Sequence, residues 1–91
     1  MRVKSTSMIT VLYFARLREA FGRASEQIAL PSGVSDLASL RALLHSRGGT
    51  WAEEMADAKP VRAAVNQDVA HGNTRIKDGD EIAFFPPVTG G

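Results

Sequence analysis

The group in this 91-residue chain best placed for chemistry belongs to the main chain: the carboxylate of Gly91, carried behind Gly90. A glycine pair has no side chains, so the backbone can thread a narrow slot and bring its last carbonyl carbon against a reactive group on a partner. Ahead of the pair, Pro86 and Pro87 fix φ and disfavour helix in the residues before them, so from Phe85 onward the chain is expected to leave the body of the protein extended. At roughly 3.3–3.6 Å per residue, residues 86–91 span about 20 Å, enough to enter another protein's active site. Gly-Gly alone reads more readily as a frayed end. An aromatic pair, a proline pair, then Val88, Thr89 and the two glycines read as a stiff stem that presents a terminus. A carboxylate at neutral pH is ionised and a poor electrophile, so any reaction there needs prior activation.

No side chain competes for that role. With no cysteine, the chain has no disulfide, thiolate metal site, cysteine nucleophile or persulfide, and two histidines, His45 and His71, are too few for a metal cluster. Eleven Lys and Arg are scattered among ten acids for a formal net charge of +1, which offers no stripe for nucleic acid. There is no long apolar run for a membrane, and residues 1–7 lack the apolar middle of a secretion signal. One small cytoplasmic domain is expected, with 44% hydrophobic and 23% charged residues and no cofactor of its own.

The elements that must hold the stem are readable by period. Residues 1–7 are polar without a period and read as a flexible leader, with Met8 an alternative start. Residues 9–14 are apolar but for Thr10 and often β-branched or aromatic, as in a central strand with neighbours on both sides. A short helical turn over 16–21 ends at Gly22, and 25–30 alternate as an edge-like strand broken by Pro31-Ser32-Gly33. Ser35 is the expected N-cap of the one long amphipathic helix, whose Leu37, Leu40, Leu43 and Leu44 share a face before Arg47 and Gly48-Gly49. Trp51 and Met55, four apart, read as core packing in a second helical stretch, the alternative being a cofactor contact. Residues 61–65 alternate as a strand, Asn66-Gln67-Asp68 supplies a turn, Val69-Ala70 starts a short return, and Asp78-Gly79-Asp80 makes another turn before the last strand, 81–85.

That order predicts an α+β fold: a mixed sheet curled around one main helix, the β-grasp or ubiquitin-like arrangement, over residues 8–85, followed by the tail, 86–91. Alternation turns Ile9, Val11, Tyr13, Ile28 and Leu30, then Val61, Ala63, Val65, Ile82 and Phe84, toward the helix. It leaves Thr10, Leu12, Phe14, Arg62, Ala64, Ala83 and Phe85 outside. If the first and last strands are neighbours, Leu12, Phe14, Ala83 and Phe85 form an apolar patch at the root of the tail, either a docking surface or ordinary surface scatter.

Tyr13-Phe14-Ala15-Arg16-Leu17-Arg18-Glu19, Ala64-Val65-Asn66-Gln67 and the unbroken run from Asp78-Gly79-Asp80 through Phe84-Phe85-Pro86-Pro87-Val88-Thr89-Gly90-Gly91 resemble the small, sulfur-carrying subunit of molybdopterin synthase, from about Met8 to the end. The resemblance implies that an adenylating enzyme of the ubiquitin-activator type, using ATP and Mg, joins AMP to the Gly91 carboxylate, and that a sulfur donor displaces AMP to leave a thiocarboxylate. It implies further that this terminus enters the large catalytic subunit of the synthase and gives its sulfur to a cyclic pyranopterin phosphate. On this reading the chain is a carrier, not an enzyme alone. Gly91 carries sulfur, Gly90 gives clearance, and Val88 and Thr89 line the mouth of the partner's channel behind Pro86 and Pro87. Leu12, Phe14, Ala83 and Phe85 dock, and Arg18 pairs with an acid of the large subunit, the alternative being a merely solvated surface arginine. Three other readings remain: a sulfur carrier for thiazole synthesis, which usually lacks the Phe-Phe-Pro-Pro stem, a ubiquitin-like protein modifier, and a plain interaction module.

Overall fold

The computed structural model describes residues 8–87; the leader expected over 1–7 and residues 88–91 of the expected tail lie outside them. Five strands, β1 (Met8–Tyr13), β2 (Ser25–Ala29), β3 (Arg62–Val65), β4 (Asp68–Ala70) and β5 (Glu81–Phe85), form one sheet in the order β2-β1-β5-β3-β4. β1 and β5 run parallel, and every other pairing is antiparallel. Three helices complete it: α1 (Arg16–Phe21), α2 (Leu37–His45) and α3 (Gly49–Glu54). This is the expected α+β, β-grasp arrangement, with the first and last strands side by side at the centre.

Alternation decides which face packs. Ile9, Val11 and Tyr13 of β1 and Ile82 and Phe84 of β5 point inward, none more than 1% exposed, against Leu37, Leu40 and Leu44 of α2. Leu30 and Val61, also expected inward, are partly buried against the same core. Trp51 and Met55 are packing residues: Met55 is buried, and the indole of Trp51 stacks on Phe21 at 3.8 Å and 6° while Arg47 lies 4.4 Å over it. Beside them Glu26 collects the Tyr13 hydroxyl at 2.5 Å and the guanidiniums of Arg47, at 2.8 Å, and Arg23, at 3.2 Å. Burial pushes the Glu26 carboxyl up, but the donors from Arg47 and Tyr13 outweigh it and hold the group below its ordinary range. Burial and the same carboxylate raise the Tyr13 phenol far above its usual value.

One cap differs from expectation. Asp36, not Ser35, caps α2: its carboxylate accepts the Ser39 N–H at 2.8 Å, while the Ser39 hydroxyl accepts the Asp36 N–H at 3.2 Å. Ser35 is still committed to extended pairing, because its carbonyl takes the Ile76 N–H at 3.0 Å and Asp36 bridges Arg75, so the helix starts one residue later. Gly22 ends α1 as expected, in the left-handed region at φ 69 with its N–H on the Arg18 carbonyl.

Candidate functional site

The stem is aimed by the middle of the sheet. β5 is flanked by β1 and β3, so the strand that runs into Pro86 and Pro87 is held on both edges, and the Phe14 N–H adds a bond to the Phe84 carbonyl at 3.1 Å. Its lower end is fixed by Asp80, which is 5% exposed. The Asp80 carboxylate accepts from the Asn66 amide at 2.9 Å and from the Lys77 N–H at 2.8 Å, and the Asn66 side-chain carbonyl in turn accepts the Glu81 N–H at 3.0 Å. Burial favours the protonated acid, yet these donors prevail and keep Asp80 below the usual carboxylate range. A buried, fully partnered carboxylate thereby welds the β3–β4 turn to the start of the tail-bearing strand.

Register places the expected docking residues together. Leu12 pairs with Ala83, Ala83 with Ala64, and Ala64 with Val69, one row across four strands on the face away from the helices. On the tail side of this row stand Phe14, one residue beyond β1, and Phe85, in register with Arg62. Among the described residues the exposed large hydrophobics are Phe14, at 47%, and Val69, at 70%. They stand at the two ends of this surface, Phe14 just beyond β1 and Val69 on β4, with the half-buried apolar row between them. Leu12, Ala83, Phe85, Pro86 and Pro87 are half-buried around them. Ala15, at φ 54 and ψ −127 in a region that favours glycine, turns the chain so that Phe14 stays out and Leu17 goes in. Arg18 is exposed on α1 and makes no ion pair among the described residues. Val88, Thr89, Gly90 and Gly91 lie outside the described residues.

Val69 and Ala64 extend the patch beyond the four residues that the sequence points to. A two-residue turn with Asn66 at φ 51 and Gln67 at φ 73 fixes the hairpin register and sets Val69 opposite Ala64. The signal for Val69 is the turn length, since a three-residue strand is too short to show a period, whereas Ala64 stands outward by the alternation of residues 61–65. On the opposite side of the sheet, a cleft of about 640 Å³ lies between α2 and the β3–β4 hairpin, with His45 and His71 on its walls. Among the described residues no three His, Cys, Asp or Glu are grouped to hold a metal ion, and no helix is long and apolar enough to cross a membrane. The site is a surface and the root of a stem.

The ThiS family model matches residues 11–91. The molybdopterin synthase sulfur carrier subunit of Escherichia coli (strain K12) is 40% identical over 92% of this chain and 100% of its own length. Among solved structures, a putative molybdopterin converting factor, subunit 1, from Pyrococcus furiosus superposes with a TM-score of 0.75 at 28% identity, covering 91% of this chain and 100% of that one. The small archaeal modifier protein 1 of H. volcanii superposes with a TM-score of 0.65 at 27% identity, covering 90% and 99%. With a family model that starts inside β1 and runs to the last residue, and a relative this similar over nearly the whole chain, the protein belongs to the ThiS family and, within it, to the molybdopterin synthase sulfur carrier subunits.

Proposed function

We propose that this chain carries sulfur as a thiocarboxylate on Gly91 and delivers it, as the small subunit of molybdopterin synthase, to a pyranopterin precursor bound by the large subunit. An adenylating enzyme of the ubiquitin-activator type first joins AMP to the Gly91 carboxylate with release of pyrophosphate from ATP. A sulfur donor then displaces AMP, and the C–S bond formed replaces a C–O bond. Acids, bases and substrate-binding groups belong to the large subunit, and the chain performs no reaction alone. Leu12, Phe14, Ala83 and Phe85, extended by Ala64 and Val69, dock on that subunit, Arg18 pairs with one of its acids, and Pro86 to Gly90 fill its channel.

One observation supports this reading: the strand leading to Pro86-Pro87 is the centre of the sheet and belongs to the apolar row of Leu12, Ala83, Ala64 and Val69 on the face away from the helices. A tail so rooted has a fixed origin relative to the docking face, so its length sets where the last carbonyl carbon arrives. Intact mass of the protein from its own cell tests the chemistry; a fraction with one oxygen replaced by sulfur at Gly91 is expected. One residue added after Gly91 is expected to abolish transfer and leave folding unchanged. Full activity of such an extended chain, shown by mass to be untrimmed, contradicts the reading.

The likeness to the small archaeal modifier protein favours a second use, in which the same activated terminus is joined to lysines of other proteins. Covalent adducts that disappear when Gly91 is deleted distinguish it.

A further inference from the structure

The outer face of the sheet is graded in charge along its strands. Thr10 and Glu81 are in register in one row, Leu12, Ala83, Ala64 and Val69 make the apolar row, and Arg62 stands beside Phe85 in the tail-side row. Glu81 and Phe85 are four residues apart on β5, so the acidic and basic ends lie about 13 Å from one another at the usual strand rise. Among the described residues neither the Arg62 guanidinium nor the Glu81 carboxylate has an ion-pair partner. At about 0.1 M salt charges this far apart are screened from each other and remain available to a partner.

Apolar burial has no direction. A partner slid by one row, or turned half a revolution, would cover nearly the same hydrophobic area and yet leave the stem pointing away from its channel. Unlike charges at the two ends of the patch remove that ambiguity, because either error sets like charge against like or leaves the pairs unmade.

We propose that Arg62 and Glu81 orient docking: the receiving surface carries an acidic group at the mouth of the channel, opposite Arg62, then an apolar band, then a basic group opposite Glu81. This rests on the reading that the chain docks on the large subunit by this face. Arg62 and Glu81 are positioning residues; they touch no reacting atom.

Association with the purified large subunit, followed by stopped flow at low and high ionic strength, tests it. Arg62→Glu and Glu81→Lys are each expected to slow association about tenfold at low salt, with the difference shrinking as salt rises, because rim charges act mainly on the encounter rate. Arg62→Gln, which cannot disturb folding by repulsion, is expected to fall between Arg62→Glu and the parent. Arg75→Glu, on the helix side of the fold, is expected to change nothing. Association of all three outer-face variants within about twofold of the parent at low salt overturns the orienting role while leaving the docking face intact. Failure of the unmutated chain to bind the large subunit overturns both readings together.

Discussion

Asp80 and Glu26 show how single charges stabilise this small domain. Among the described residues Asp80 is the buried charge, and it is worth having only because Asn66 and Lys77 satisfy it. Asp80→Ala leaves the Asn66 amide and the Lys77 N–H without an acceptor and is expected to lower stability by about 2 kcal/mol in urea denaturation. Both carboxylates are held below their ordinary range when folded, so their contribution is complete above the unfolded pKa and disappears as pH falls through the folded value. Stability measured against pH is therefore expected to decline on the acid side of the normal carboxylate range, and Glu26→Gln to flatten that decline. Val69 belongs to a different class, because its side chain touches solvent. Val69→Glu is expected to cost less than about 1 kcal/mol of stability and to weaken large-subunit binding at least tenfold in a titration, since it places a charge in the apolar row. Neither Asp80 nor Val69 was legible as important in the sequence. Asp-Gly-Asp reads as an ordinary turn until the partners of its second carboxylate are known, and Val69 has too few strand neighbours to declare a face.

Elements with a long period were legible, and those fixed by distant contacts were not. β1 and β5 announce themselves as near-continuous apolar runs, and α2 through four leucines at helical spacing, so the core was readable from residue types and spacing alone. The start of α2 was not, because Ser35 and Asp36 are both good caps and the choice is made by pairing with Arg75 and Ile76, far along the chain. Asp36→Ala is expected to lower the melting temperature clearly, and Ser35→Ala much less, which thermal denaturation of the two variants can compare. The β3–β4 turn holds Asn66 and Gln67 both at positive φ, a conformation Gln adopts reluctantly. Gln67→Gly, an Asn-Gly turn, is expected to raise stability by about 0.5 kcal/mol in the same assay, the relief of strain outweighing the looser unfolded chain.

On the scale of the whole molecule, the sheet puts the strand bearing the stem at its centre and leaves one face uncovered by helices. That division of labour was visible in outline in the sequence, because outward positions on the first and last strands were too apolar for a solvated face. How far the patch extends, and that its ends differ in charge, depended on the register of β3 and β4. The same topology bears on when the protein can come into being. A nascent chain halted before Glu81 has its first and third strands made but nothing to lie between them, and five more residues close the gap at once. Closure of the sheet must then wait for β5, as long-range parallel pairing requires. Any partner that recognises the assembled sheet therefore meets only chains in which the strand that leads to Pro86 and Pro87 is already in place.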